Sequence, residues 1–216
     1  MPAKIISLEG NIGSGKSTFL EKMEYYFREE SNIIFLQEPV KEWDKIKDAD
    51  GNTMLQKFYA DQYKYSFSFQ MMAYISRLAL LKNTIKENPN AVIITERSLF
   101  TDKLVFAKML FDDNKIEDVN YSIYLNWFDT FADDFTLAGM IYLKTDPEIC
   151  YERIHVRSRA GEDVIPLEYL EKCDRYHNKM MHELSSDTKQ LILNGNNNIN
   201  DKLHEWINEV RSFLIV

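Results

Sequence analysis

The sequence predicts an α/β protein in which helices on both faces flank a five-stranded parallel sheet, a three-layer arrangement. Three observations predict it. Short apolar runs recur along the chain at Lys4 to Leu8, Ile33 to Leu36, Val92 to Thr95, Met140 to Leu143 and Gln190 to Leu193, with helix-forming stretches between them. The runs are continuous rather than alternating, the pattern of strands buried on both faces. Between the first run and the first helical stretch, Gly10, Asn11, Ile12, Gly13, Ser14, Gly15, Lys16 and Ser17 spell GxxxxGKS, a phosphate-binding loop in its strand-to-helix setting.

Each element follows from local chemistry, and together they read as a P-loop NTPase-like domain spanning 1–216. The run Ile5, Ile6, Ser7, Leu8 is the first strand, and Thr18 to Arg28 is the helix behind the loop. A second strand, Ile33 to Leu36, leads into Glu38, Pro39, Val40 and Trp43. The longest helical stretch, about Gln62 to Lys86, places Ser66, Phe69, Gln70, Ala73 and Arg77 on one face and the apolar residues Phe67, Tyr74, Leu78 and Leu81 on another. The third strand ends in Thr95, Glu96, Arg97, Ser98 and is followed by helices over Leu99 to Leu110 and Val119 to Ala132. After the fourth strand, Arg153, Arg157 and Arg159 run into a Gly161, Glu162, Asp163 turn, a lid over about 153–165. Pro166 opens the helix Leu167 to Leu184, where its missing N–H costs least. The fifth strand gives way to an asparagine-rich patch from Asn194 to Asn198.

Composition narrows the function. A chain of 216 residues, 45% hydrophobic and 28% charged, is long enough for one α/β domain with a substantial core. A net charge of −8 argues against a nucleic-acid polymer as the partner, because such a protein needs a basic stripe to displace counterions. Two separated cysteines, Cys150 and Cys173, are too few for a disulfide framework or a zinc site. With no apolar run long enough to span a bilayer and no charged and apolar leader, the expectation is a cytoplasmic protein without a membrane partner.

The loop implies a nucleoside triphosphate and Mg²⁺. Its backbone N–H groups, with Thr18 opening the helix, would cradle phosphates, Lys16 would bridge the outer phosphates, and the Ser17 hydroxyl would meet the metal. Glu96, leaving a strand beside the loop, is the second candidate metal ligand, and Arg97 can orient an acceptor or pair with a base. Glu38 sits where a general base for an acceptor hydroxyl is needed. The arginines of the lid suit closure over the phosphates, with exclusion of water and neutralisation of developing charge. Gln70 can donate and accept at once, as the edge of a nucleobase requires, with Phe69 or Phe106 placed to stack on it.

Taken together, Gly10 to Ser17, Glu38-Pro39-Val40 with Trp43, Phe69-Gln70 with Arg77, Glu96-Arg97-Ser98 followed by Asp102, and the arginine lid ending in Ile165-Pro166-Leu167-Glu168-Tyr169-Leu170 resemble the deoxynucleoside kinase family over almost the whole chain. The resemblance implies transfer of the γ-phosphoryl group of ATP to the 5′-hydroxyl of a deoxynucleoside, with a role in nucleotide salvage. It implies Glu38 as the base and Arg97 as the residue orienting the hydroxyl, with Lys16, Arg157 and Arg159 acting on the phosphates. Tyr59 and Glu162 would hold the sugar 3′-hydroxyl, and Gln70 would pair with the nucleobase. Val40, Trp43, Leu55, Phe69, Ala73 and Phe106 would line that pocket. Arg153 would lie near the adenine or phosphates of ATP, and the loop containing Asn196, Asn197 and Asn198 would contact the adenine. A homodimer through the long helix and the Val119 to Ala132 helix is implied as well.

The same resemblance suggests a base preference. Arg77 and Asp102 stand at positions where an Arg and Asp accompany use of deoxycytidine or purine deoxynucleosides rather than thymidine. The chemistry agrees, since Asp102 can accept from an exocyclic amino group directly or through Arg77. Two other readings remain open on the residues alone: a nucleoside monophosphate kinase of the thymidylate type, which would not need a base at Glu38, and a P-loop regulatory ATPase, which has no use for a second pocket.

Overall fold

The computed structural model describes residues 2–30, 32–132, 135–157, 164–186 and 188–215. Five strands, β1 (Lys4–Glu9), β2 (Ile33–Leu36), β3 (Val92–Glu96), β4 (Leu137–Lys144) and β5 (Lys189–Asn194), form one sheet in the order β2-β3-β1-β4-β5. Every neighbouring pair is parallel. The sheet and its flanking helices are the predicted α/β fold. Because β1 lies at the centre and the chain crosses to opposite sides of it, the end of β1 is the switch point where a parallel sheet opens a crevice for ligand.

The two faces of the sheet separate by residue parity, as the period-2 geometry of strands requires. Ile6 and Leu8 of β1, Ile94 of β3, Ile141 and Leu143 of β4 and Leu193 of β5 pack under α1 (Lys16–Tyr26) and α10 (Ile199–Ile215). There Phe19 stands edge-on to Trp206 with ring centroids 5.4 Å apart. On the other face, Ile5 and Ile93 meet Tyr74 and Leu81 of α4 (Gln62–Glu87) and Tyr124 and Phe128 of α7 (Asp118–Ala132). Met140 and Tyr142 meet Met180 and Met181 of α9 (Leu167–Glu183). The continuous apolar strands are therefore explained by burial on both sides.

Two short helices were not anticipated. Helix α2 (Val40–Trp43) is a single turn after Pro39, and α3 (Met54–Ala60) starts from a capping box in which Thr53 accepts from the Gln56 N–H and Gln56 reaches back to the Thr53 N–H. The expected helix from Leu99 to Leu110 is present as α5 (Leu99–Thr101), a π-helical stretch Asp102–Ala107 and α6 (Lys108–Asp112). A π-helical stretch widens the turn, and here both Asp102 and Phe106 line the main cavity. Helix α8 (Pro147–Arg157) carries the first lid arginines. Among the described residues, no helix is long and apolar enough to cross a membrane.

Candidate active site

The phosphate loop closes tightly around the end of β1. Gly10 has φ +151°, and a Cβ there would lie 2.7 Å from the carbonyl oxygen of Leu143. Gly15, at φ +99°, turns the chain into α1 in the left-handed region that side chains disfavour. Lys16 folds back so that Nζ donates to the Asn11 carbonyl at 2.6 Å, and the residue is only 5% exposed. Burial, reinforced by the positive charge of Arg97, lowers its pKa to about 7. The side-chain amide of Asn11 donates to the Leu170 carbonyl at 2.8 Å and ties the loop to α9. Ile12, Gly13, Gly15, Lys16, Ser17 and Thr18 face the main cavity, and Ser14 lines the adjoining cleft.

Three strand ends converge on that cavity. The Ser17 hydroxyl donates to Oε1 of Glu96 at 2.6 Å, and the Glu38 N–H lies 3.4 Å from Oε2 of the same carboxylate. A hydroxyl and one carboxylate beside a phosphate loop fit Mg²⁺, which keeps most of its waters and takes few protein ligands. The donor set thus matches the metal implied by the sequence, and no cluster of three or more acidic, histidine or cysteine ligands occurs among the described residues. Arg97, which leaves β3 with φ +64°, is 4% exposed. Its Nη1 donates to the Gly10 carbonyl at 2.9 Å, its Nε lies 3.6 Å from Oε1 of Glu38, and its guanidinium carbon stands 4.9 Å above the ring of Phe106.

Arg77, on α4, connects the remaining charges. Its Nη2 donates to Oε1 of Glu38 at 2.9 Å, its Nε to Oδ2 of Asp102 at 2.9 Å and its Nη1 to the Glu96 carbonyl at 2.7 Å. Burial alone would raise the pKa of Glu38, but the guanidinium groups of Arg77 and Arg97 outweigh it and hold the carboxyl below its ordinary value. Burial pushes Asp102 up to about 6 against the pull of Arg77. Glu38 is thereby an ionised carboxylate at the junction of the phosphate loop and the second half of the cavity.

That half has an aromatic and amide wall. Trp43 donates Nε1–H to Ser76 Oγ at 2.8 Å and stands edge-on to Phe69. Phe69 in turn stacks on Phe58 with centroids 4.5 Å apart. Val40, Leu55, Tyr59, Gln70, Ala73 and Phe106 complete the wall with Arg77 and Asp102. Gln70 is 2% exposed, and its carbonyl oxygen has no hydrogen-bond partner among the described residues. A buried amide with a spare acceptor can take a hydrogen bond from a donor that enters the cavity.

A second cleft adjoins the loop. Gly13, Ser14, Gly15, Thr18, Arg153, Arg157, Asn196, Asn197, Asn198 and Trp206 line it. Arg153 bridges its two walls, donating Nη1 to the Ser14 carbonyl at 3.1 Å and Nη2 to the Asn197 carbonyl at 3.5 Å. Asn196 is fixed by a two-way exchange with Asp146, whose N–H it accepts at 2.8 Å. The loop's glycine backbone therefore borders two cavities, and all the sequence-predicted residues that are described lie at the loop or around these two openings. Arg159 and Glu162, with most of the lid turn, lie outside the described residues.

The sequence reading missed three residues. Phe58 and Tyr169 line the main cavity, and His177 contacts Arg97 from α9. The capping box at Thr53 ahead of Leu55 and Phe58 was the signal that could have found α3 and Phe58. Tyr169 lies within the run Ile165 to Leu170 that carried the resemblance but was given no role. His177 offers no local signal at all.

Comparison with known proteins agrees with this geometry. The family model for deoxynucleoside kinase matches residues 6–215. Human deoxycytidine kinase is 32% identical over 239 residues, covering 98% of this chain and 91% of that protein. The mitochondrial deoxyguanosine kinase of Xenopus laevis is 32% identical over 205 residues, covering 87% of this chain and 76% of that protein, and deoxycytidine kinase 2 of Gallus gallus is 31% identical over 240 residues, covering 97% and 89%. With a phosphate loop, an adjoining carboxylate and an amide-lined pocket in one cavity, and a family match over nearly its full length, the chain is an enzyme of the deoxynucleoside kinase family.

Proposed function

We propose that this kinase transfers the γ-phosphoryl group of ATP to the 5′-hydroxyl of a deoxynucleoside, in nucleotide salvage, using deoxycytidine, deoxyadenosine or deoxyguanosine ahead of thymidine. The observation that carries the reading is that Glu38 lines one cavity with the loop residues Lys16 and Ser17 and with Gln70, Phe69 and Trp43. A carboxylate there can accept the proton of an acceptor hydroxyl, whereas a phosphate acceptor is anionic already.

The roles follow. Glu38 takes the 5′-hydroxyl proton, Arg97 orients that hydroxyl, and Lys16, Arg157 and Arg159 neutralise charge on the moving phosphoryl group. Ser17 and Glu96 would hold Mg²⁺, which supplies charge neutralisation on the phosphate oxygens when bound. The glycines of the loop, with Thr18, cradle the phosphates, Asn196 to Asn198 receive the adenine end of ATP, and Arg153 lies near the adenine or the phosphates. Gln70 reads the nucleobase, Tyr59 and Glu162 hold the 3′-hydroxyl, and the Arg77–Asp102 pair favours an amino-bearing base. The exposed apolar residues Val119, Ile123, Trp127 and Phe131 recur at four-residue spacing along α7, and Trp127 and Phe131 stack on each other, a surface suited to a homodimer.

The test is a turnover panel of the four natural deoxynucleosides and their 5′-monophosphates with ATP and Mg²⁺, with products separated by chromatography. Deoxycytidine or a purine deoxynucleoside is expected as the best acceptor. Faster use of a monophosphate would transfer the reading to a monophosphate kinase, and thymidine as the best acceptor would remove the base preference.

A further inference from the structure

His177 is a fully buried titratable residue that the roles above leave unused. It lies on α9, 0% exposed, beneath the same arginine that leaves β3 in a left-handed conformation. Its Nδ1 is 2.8 Å from the carbonyl oxygen of Cys173 one turn back, and its Nε2 is 3.3 Å from Nη1 of Arg97. A carbonyl only accepts and a guanidinium only donates. The ring must therefore carry its proton on Nδ1 and offer the lone pair of Nε2 to Arg97. A charged imidazole would set N–H against N–H across this contact and place a second cation in the pocket.

The surroundings enforce that state. The imidazole is stacked with Tyr142, with centroids 6.4 Å apart and planes 7° apart, and Phe106 meets it edge-on at 6.0 Å. Burial, and after it the positive charge of Arg97, hold its pKa well below the usual histidine value. Arg97 pays for its position with a left-handed backbone, a conformation that persists only where neighbours over-determine it. Those neighbours are the Leu8 carbonyl on its N–H at 3.0 Å, the Thr95 hydroxyl on its carbonyl at 2.7 Å, and, at the far end of the side chain, the Gly10 carbonyl and His177.

We infer that His177 is a positioning residue: its neutral Nε2 acceptor fixes the Arg97 guanidinium so that Nε faces Glu38 and the acceptor hydroxyl. Nη1 is committed to Gly10 and to His177, so rotation of the guanidinium out of the Glu38 plane would break two contacts at once. The inference rests on the proposed role of Arg97. It extends the reacting constellation to α9, an element that shares no sequence proximity with β1 or β3.

Three variants and one spectrum test it. His177→Phe keeps a planar ring and removes the acceptor, whereas His177→Gln can return an amide oxygen near the position of Nε2. In the wild type, ¹⁵N spectra of the histidine-labelled protein, assigned by the signal lost in His177→Phe, should show a protonated Nδ1 and an unprotonated Nε2. A proton on Nε2, or a charged ring at neutral pH, would overturn the inference. His177→Phe is expected to lower kcat by about 10- to 100-fold with little change in nucleoside affinity, the mark of a misplaced group at the reacting centre. His177→Gln should recover most of the loss. Equal loss in both, or none in His177→Phe, would overturn the positioning role. Arg97→Ala separates the two layers of argument. A wild-type rate in that variant would defeat the role of Arg97 itself, whereas a slow Arg97→Ala that is slowed further by His177→Phe would show that His177 acts elsewhere.

Discussion

Arg77 Nη2 lies 2.9 Å from Oε1 of Glu38, and the same guanidinium holds Asp102 through Nε, so one buried cation joins the carboxylate beside the phosphate loop to the carboxylate in the wall opposite. Recognition of the base and activation of the hydroxyl are thereby coupled electrostatically in the proposed mechanism. The coupling has opposite consequences for the two acids. Glu38, shared between Arg77 and Arg97, stays ionised despite burial, while burial prevails at Asp102.

Glu38→Gln is expected to reduce kcat by about 10²- to 10³-fold while nucleoside binding changes little, since the amide keeps the shape but cannot take a proton. The pH profile should agree. Because the carboxyl lies below its ordinary value, loss of rate from its protonation begins only in the acid range, below the usual carboxylate titration. Steady-state kinetics with the best deoxynucleoside checks both, and unchanged turnover would remove Glu38 from the reaction.

Binding of ATP should draw a proton onto Lys16. In the free protein its pKa is about 7, so at pH 8 most molecules carry a neutral amine there, and phosphates arriving at the loop favour the charged form. Up to about one proton is taken up per nucleotide bound at pH 8, and affinity falls as pH rises above 7. Calorimetry in buffers of different ionisation enthalpy reads the uptake directly; Lys16→Met should abolish it and weaken ATP binding whatever the acceptor.

Asp102→Ala should change more than base preference. The ratio of kcat/KM for thymidine over deoxycytidine is expected to rise by about tenfold or more, because the acceptor for an amino group and the crowding around it are removed together. Arg77 would then be left with Glu38 as its carboxylate partner, making that base weaker, so kcat should fall for every acceptor. A change in preference with no general loss of rate would show that the two carboxylates are not coupled.

Trp127→Asp addresses the exposed face of α7. Trp127 is 45% exposed and stacks on Phe131 at 5.8 Å, while Val119 and Ile123 continue the stripe. A charge at its centre should convert a dimer to a monomer in sedimentation or light scattering, with the fold intact by circular dichroism. A wild-type chain that sediments as a monomer at micromolar concentration would remove the homodimer.

The phosphate loop, the five strands and the long helix were readable from the sequence because each is encoded locally, in glycine placement, in continuous apolar runs and in a helical period. Most of the pocket wall was readable for a related reason. Gln70, Ala73 and Arg77 share one face of α4, and Glu38 and Glu96 terminate strands whose carboxyl ends must lie beside the loop. The widening of the Leu99 to Leu110 helix into a π-helical stretch at Asp102–Ala107 was not readable, since the apolar period of the segment is that of an ordinary helix. Nor was the bond from the Asn11 side chain to the Leu170 carbonyl, which ties the loop to α9.

The sequence by itself thus determined the fold class and the presence of a phosphate loop, a candidate base and a helix face carrying Gln70, Ala73 and Arg77. Only the tertiary structure decided how these act on one another. Arg77 reaching both carboxylates spans α4, the segment after β2 and the π-helical stretch, and His177 reaching Arg97 joins residues 80 positions apart. Local patterns record which face of an element is buried, but the direction of a buried hydrogen bond depends on which atoms the packed fold brings within about 3 Å of each other.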